Sequence, residues 1–174
     1  MSTELNKEKV TSVETQSFLS FKLENESFTI PVMKIMEILE VPKITRVPQA
    51  PNFLVGVINL RGAVLPVIDT RIKFGMTPIE YTINTCILVV SVLSNDELIQ
   101  VGALVDSVSE VFEFSTDKIK PAPTIATRYR ADYIHGMIQE DDHFIMVLDI
   151  DKVFSSNDLE TISEFRETQK EENK

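Results

Sequence analysis

The chain contains no tryptophan, a single cysteine and no apolar run long enough to cross a bilayer. Each absence narrows the field. A membrane-spanning helix needs about 20 consecutive apolar residues, and none is present. One cysteine, Cys86, cannot form an internal disulfide. It sits beside the apolar run Ile87-Leu88-Val89-Val90, where a buried structural thiol is expected. Basic residues are also scarce. The 174 residues carry 17 Lys and Arg against 27 Asp and Glu, a net charge of −10. That field repels nucleic acid and anionic membrane surfaces alike. The first residues, MSTELNKEKV, have no apolar core of the secretory kind. A reduced, cytoplasmic setting is the expectation. Phosphate-binding glycine loops, dinucleotide fingerprints and nucleophile motifs are missing as well. Aromatic content of 7% without tryptophan gives little support to a small-ligand or peptide-binding barrel with a compact aromatic pocket.

What is present is β-rich. Residues 1–16 are polar and aperiodic, and read as a flexible arm. Residues 17–155 carry short alternating or apolar stretches such as Phe18–Leu23, Val55–Leu60 and Cys86–Val92. Turn residues such as Asn25-Glu26, Arg61-Gly62 and Asn95-Asp96 bound them, which predicts strands and hairpins. Brief helical turns are expected at Val32–Met36, Asp69–Phe74 and Ile150–Phe154. In residues 156–174, Asn157 and Glu160 resemble an N-cap with its reciprocal glutamate. Leu159, Ile162 and Phe165 then recur at helical spacing. A short amphipathic helix packed on the body, followed by a charged tail, is predicted.

The chain repeats itself. Asn52–Ile58 aligns with Asp132–Ile138 and, without a gap, Leu65–Asp69 with Ile145–Asp149 and Phe74 with Phe154. Lys34–Val41 parallels Ser107–Phe114. Two copies of a module of about five strands are therefore expected to pack as small barrels sharing a core, since closure removes exposed strand edges. The copies differ most at their turns, Asn59-Leu60-Arg61-Gly62 against Gln139-Glu140-Asp141-Asp142, and after the aspartates, Thr70-Arg71 against Ile150-Asp151. Asp69 and Asp149 are expected to cap short helices. Gly56 and Gly136 are expected where strands bend or pack closely.

Asn59-Leu60-Arg61-Gly62 followed by Pro66-Val67-Ile68-Asp69-Thr70-Arg71 resembles the pattern of the CheW-type chemotaxis coupling proteins. Agreement extends to Ile35–Ile38, Gly102–Val108, Ile119–Pro123 and Leu148–Lys152, so the resemblance covers roughly residues 17–155. It implies two pseudo-repeated five-stranded SH3-like barrels, no catalytic activity and no cofactor. It further implies two partners: the regulatory domain of a chemotaxis histidine kinase and the helical cytoplasmic tip of methyl-accepting chemotaxis receptors. Localisation is then cytoplasmic, joined to membrane arrays through those partners and without membrane insertion of its own. The same scaffold serving a non-chemotaxis signalling pathway is the alternative.

A receptor helix needs an apolar groove with a few fixed polar groups. Ile35, Ile38, Val57, Val105 and Val108 are the candidates for its apolar surface, although any one of them read singly is expected in the core. In the family, the arginine and glutamate matching Arg61 and Glu37 are implicated in receptor coupling, and the two are expected within ion-pair reach. For the kinase, Pro42–Pro48 is the candidate, with Ile44, Thr45 and Val47 as contacts on a proline-bracketed segment. An aspartic-protease reading fails, because neither Asp69-Thr70-Arg71 nor Asp149-Ile150-Asp151 carries the required glycine. His135 and His143, facing each other across the Gln139–Asp142 hairpin, are too few for a metal site and are expected in solvent.

Overall fold

The structure is a computed structural model, described for residues 14–122, 132–154 and 157–164. Among the described residues, eleven strands make two curled sheets. They are β1 (Thr15–Leu23), β2 (Glu26–Pro31), β3 (Ile35–Glu40), β4 (Leu54–Leu60), β5 (Ala63–Asp69), β6 (Cys86–Ser94), β7 (Glu97–Val105), β8 (Ser107–Ser115), β9 (Lys120–Pro121), β10 (Ile134–Glu140) and β11 (His143–Leu148). The six-stranded sheet runs β8-β1-β2-β11-β10-β9, and the five-stranded sheet runs β3-β6-β7-β5-β4. The architecture is mainly β, two SH3-like units packed together, as expected.

The repeat does not coincide with the sheets, and this corrects the simplest reading of it. The hairpin β1–β2 belongs to the first copy, yet it joins β8–β11 of the second. Reciprocally, β6–β7 of the second copy completes the sheet of β3–β5. Each exchanged hairpin joins antiparallel on one side, β1 to β8 and β6 to β3, and parallel on the other: β2 pairs with β11 through Phe28↔Met146 and Thr29↔Val147, and β7 pairs with β5 through Gly102↔Val67 and Ala103↔Ile68. Each copy alone would leave the edges of its hairpins unpaired.

Closure at the far edge uses a backbone approach that only glycine permits. Thr45 N–H donates to Val57 O at 2.9 Å and Val57 N–H to Thr45 O at 2.8 Å. A Cβ on Gly56 would lie 2.2 Å from Thr45 O. The second copy repeats the device, where a Cβ on Gly136 would lie 2.5 Å from Lys120 O. Register slips beside both glycines mark a bulge.

The main core fills both sheets and their junction with residues such as Leu19, Leu23, Ile30, Ile68, Leu88 and Leu104. A smaller cluster of Phe18, Ile138, Ile145 and Val147 lies under the six-stranded sheet. A run of rings crosses the junction: Phe21 on Phe28, Phe28 on Phe74, and Phe74 on Tyr133 with centroids 4.8 Å apart. Both expected caps form. Asp69 accepts from Ile72 N–H ahead of α1 (Thr70–Lys73), and Asp149 accepts from Asp151 N–H ahead of α2 (Ile150–Val153). The first helical turn is a 3₁₀ turn, Val32–Lys34.

A last helix, α3 (157–164), lies on the body with Leu159 and Ile162 buried at 4% and 0% exposure. Asn157 is already helical rather than capping, and Phe165 lies outside the described residues. Lys73 fastens α3 by an ion pair to Asp158, its ammonium 4.8 Å from the Phe53 ring centroid. The expected arm is shortened at its end, because Thr15 and Gln16 already belong to β1, paired with Ser115 and Phe114. Residues 1–13 lie outside the described part.

Candidate functional site

Arg61 occupies the tip of the β4–β5 hairpin with φ of 52°, and Gly62 follows with φ of 86°. Two successive left-handed residues make the tight turn whose twist suits a two-residue hairpin. The Asn59 carboxamide oxygen accepts from Gly62 N–H at 2.7 Å and holds the turn. The Arg61 side chain then reaches back over the sheet. Its Nη2 lies 2.6 Å from Glu37 Oε1 on β3. That hydrogen bond, and the carboxylate charge behind it, raise the Arg61 pKa above its ordinary value. The guanidinium remains 72% exposed and Glu37 28% exposed, so most of the arginine's donors face solvent. The pair joins the last strand of the five-stranded sheet on one side, β3, to the hairpin on the other, and leaves a fork of N–H groups pointing outward.

The remaining candidates fall into three groups. Ile35 and Val108 are half-buried on the edge of the main core. Each lies at the start of a strand by which the chain passes from one sheet to the other, β3 and β8. Ile38 is exposed at 48%. Val57 and Val105, at 6% and 0% exposure, present no surface: Val57 backs the Thr45 bridge and Val105 ends the central strand β7. Both are buried, Val105 within the main core and Val57 beneath the Thr45 bridge. In the proline-bracketed segment, Thr45 is exposed while Ile44 and Val47 are half-buried. Ile44 is less available than an exposed anchor would be, since its Cγ2 fills the space beside Gly56.

Sequence reading missed the apolar surface next to Glu37. Met33, Met36 and Leu98 are 76%, 57% and 66% exposed, and with Lys34, Ser91 and Gln100 they line a cleft of ≈ 520 Å³. Alternation in Ile35-Met36-Glu37-Ile38 signalled a half-exposed strand. It could not say which face was covered, because a bulge between Ile35 and Glu37 resets the register.

Also missed was the partner of Arg71. The guanidinium grips the Asp106 carboxylate through Nε, at 2.8 and 3.0 Å, and through Nη2, and sits 3.7 Å from Glu24. Asp106 in turn accepts from Glu24 N–H at 2.6 Å, and Thr70 Oγ1 donates to Leu104 O. Arg71 therefore ties α1 to the β7–β8 crossover and to the β1–β2 turn of the other sheet, while Thr70 holds α1 to β7 within its own sheet.

The histidines do not face each other. His143 lies opposite Glu140, and His135 lies at the other end of the hairpin, in the bulge near Val147. Among the described residues no three His, Cys, Asp or Glu side chains gather as a metal site would require. No described helix is long and apolar enough to cross a membrane.

Comparison with known proteins agrees with this architecture. The family model described as CheW-like domain matches residues 17–158. The chain is 36% identical over 144 residues to the chemotaxis protein CheW of Klebsiella aerogenes, covering 83% of this chain and 84% of that one. It is 34% identical over 145 residues to the chemotaxis protein CheW of Rhizobium meliloti, covering 83% and 91%. The crystal structure of the scaffolding protein TtCheW from Thermoanaerobacter tengcongensis superposes with a TM-score of 0.72 at 28% identity, over 83% of this chain and 90% of that one. The chain belongs to the CheW-like family.

Proposed function

We propose that this chain is a non-enzymatic adaptor that couples methyl-accepting chemotaxis receptors to a chemotaxis histidine kinase, working in the cytoplasm at receptor arrays. The observation that carries the reading is the Arg61–Glu37 pair. A helical receptor tip offers backbone-saturated helices with carboxylates and amides on their surface. A guanidinium already oriented by Glu37, with its other N–H groups free to solvent, is suited to contact such groups without first losing side-chain freedom. Apolar contact would come from Ile35, Ile38 and Val108, with exposed Met36 beside them. Methionine's flexible thioether adapts to more than one helix face. The kinase regulatory domain would take the segment at Ile44, Thr45 and Val47, where Thr45 is held by the Val57 bridge and kept from pairing further by the flanking prolines.

The reading is tested by titrating a receptor cytoplasmic fragment and a kinase regulatory domain separately against the chain. Arg61→Ala is expected to weaken receptor binding and leave kinase-domain binding intact. Thr45→Arg is expected to do the reverse. Failure of both fragments to bind the unaltered chain would end it.

A further inference from the structure

The two units treat the seam between their edge strands differently. In the five-stranded sheet the edges are β3 and β4. Two adjacent residues of the β4–β5 hairpin turn inward there. Leu60 packs half-buried against the main core, and Arg61 crosses to Glu37 on β3. In the six-stranded sheet one edge is β8. The other is the end of β10, beyond its short pairing with β9 at Gly136 and Met137.

The repeat and the register set the equivalent residues. Lys34–Val41 matches Ser107–Phe114, so Glu37, Leu39 and Val41 correspond to Glu110, Phe112 and Phe114. Ile58 pairs with Leu65 and Leu60 with Ala63 in one hairpin, as Ile138 pairs with Ile145 and Glu140 with His143 in the other. Arg61 and Asp141 occupy the two hairpin tips with the same left-handed backbone, φ of 52° and 49°. Both inward groups of the first unit are therefore lost from the second. Glu140, 49% exposed, stands where Leu60 packs, and Asp141 stands where Arg61 bonds. Glu110, the counterpart of Glu37, has no side-chain hydrogen bond or ion pair among the described residues.

What remains at the second seam is an apolar slot of ≈ 160 Å³, walled by Phe112 and Phe114 on β8, Ile138 on β10 and Ile145 on β11. The exposed Glu110, Gln139 and Glu140 complete its lining. Gln139 accepts from the Lys120 ammonium, and Glu140 lies 3.6 Å from His143. Neither cation reaches Glu110.

We propose that this slot takes a loop of a partner protein that presents a leucine-sized side chain next to an arginine, so that the partner supplies in trans what Leu60 and Arg61 supply within the first unit. The apolar side chain enters between Phe112 and Ile145. The guanidinium faces Glu110, and Glu140 and Asp141 add to the negative potential that draws it in. The same carboxylates repel an acidic loop. The slot shares no residue with the receptor and kinase contacts, so its occupancy is independent of them.

The test uses the full chain, labelled at Ile methyls and Phe rings, and a capped peptide copying Ile58–Ala63 as the probe. Titration is expected to shift the signals of Phe112, Phe114, Ile138 and Ile145, and binding should weaken as salt is raised. Replacing the peptide's leucine by alanine should reduce affinity about tenfold, as expected when a leucine-sized side chain is no longer buried. Glu110→Gln should reduce it by up to about fivefold, the range of an exposed ion pair. Glu113→Gln, one residue along β8 from Phe112 and so on its other face, should leave affinity unchanged. Glu140→Leu combined with Asp141→Arg restores the turn of the first copy. It should close the slot from within and abolish the peptide shifts, with the melting temperature held or raised. The proposal is overturned if the peptide shifts no signal of the slot, or if Glu110→Gln and the double substitution both leave its affinity as it was. It is also overturned if the slot signals move on dilution of the chain alone, which would assign the slot to a second copy.

Discussion

Arg71 and Asp151 stand at matching positions of the two copies, eighty residues apart, and carry opposite charges to matching tasks. Arg71, on α1, grips Asp106 at the β7–β8 crossover. Asp151, on α2, accepts from Lys34 Nζ at 2.9 Å at the β2–β3 crossover and from Leu93 N–H at 2.8 Å. Each helix is thus tied to the crossover that leads into the other sheet, with the polarity reversed. The reversal forbids a mismatched pairing of Arg71 with Lys34 or of Asp151 with Asp106, since like charges would meet.

The two ties are not equal. Both partners in the Arg71–Asp106 pair are 16% exposed, against 27% and 28% for Lys34 and Asp151. The arginine also forms more than one charged hydrogen bond. Arg71→Ala should therefore cost about 2 kcal/mol or more, as expected for charge-assisted hydrogen bonds lost from a partly buried acceptor. Lys34→Ala should cost less than half as much, near the range of exposed pairs. Urea unfolding of the two variants checks the order, and equal losses would contradict it.

The motif Asp69-Thr70-Arg71 was readable as a pattern, but its purpose was not. Period-two alternation, turn residues and the internal repeat sufficed to place the strands, both caps and the two glycine contacts. The Arg61–Glu37 pair was legible too, from hairpin-tip placement together with the family resemblance. The exchange of β1–β2 and β6–β7 was hidden, because hydrophobic alternation records that a strand has a buried face and not which sheet buries it. Burial of Val57 and Val105 was hidden for the same reason. The charge reversal between Arg71 and Asp151 was visible as a difference between the copies, and only the fold identified Asp106 and Lys34 as the partners.

The glycine contacts make a graded prediction. Gly56→Ala places a methyl 2.2 Å from Thr45 O and Gly136→Ala places one 2.5 Å from Lys120 O. Both must push backbone apart, with a cost of about 1–3 kcal/mol from overpacking. Gly62→Ala meets open space and pays only for its positive φ, roughly 1 kcal/mol. Thermal unfolding should rank Gly56→Ala lowest and Gly62→Ala nearest the unaltered chain. Gly56→Ala should also expose the Thr45 amide to exchange.

Removing the Arg61 partner separates orientation from charge. Glu37→Gln keeps a hydrogen-bond acceptor and loses the carboxylate, while Glu37→Ala loses both. If pre-orientation of the guanidinium is what matters, receptor-fragment affinity should fall in the order unaltered chain, Glu37→Gln, Glu37→Ala, Arg61→Ala. Melting temperatures should stay within a few degrees throughout, because the arginine is largely solvated. Isothermal titration with the fragment reads the first trend, and calorimetric unfolding reads the second.

Burial pushes the Cys86 thiol above its ordinary value of 9.0, partly offset by a hydrogen bond from the Val108 backbone. Tyr133 is raised too, chiefly by burial. For both groups the neutral form is the folded form. Their contribution to stability is complete below the ordinary pKa and is lost as pH rises through the raised one. Stability should therefore decline above about pH 9, when the unfolded thiol ionises first, and Cys86→Ser should soften the earliest part of that decline. Iodoacetamide at pH 8 should label the native thiol more slowly than a small-molecule thiol, since the thiolate is the nucleophile.

Exchange of hairpins between the copies makes the strongest demand on folding. A cut in the exposed stretch around Tyr81–Asn84 separates the chain into its two copies. Neither half then holds a complete sheet: the first lacks the β6–β7 strands that lie between β3 and β5, and the second lacks the β1–β2 strands that lie between β8 and β11. Each missing hairpin is internal to its sheet, so its loss unpairs strands on both sides rather than trimming an edge. Each half alone is expected to show the circular dichroism of an unfolded chain. Mixed in equal amounts, the halves should recover strand content and the chemical shifts of the intact protein. A folded isolated half would mean that a copy can close its own sheet, and the reciprocal pairing of β5 with β7 and β2 with β11 would then not be what holds the molecule together.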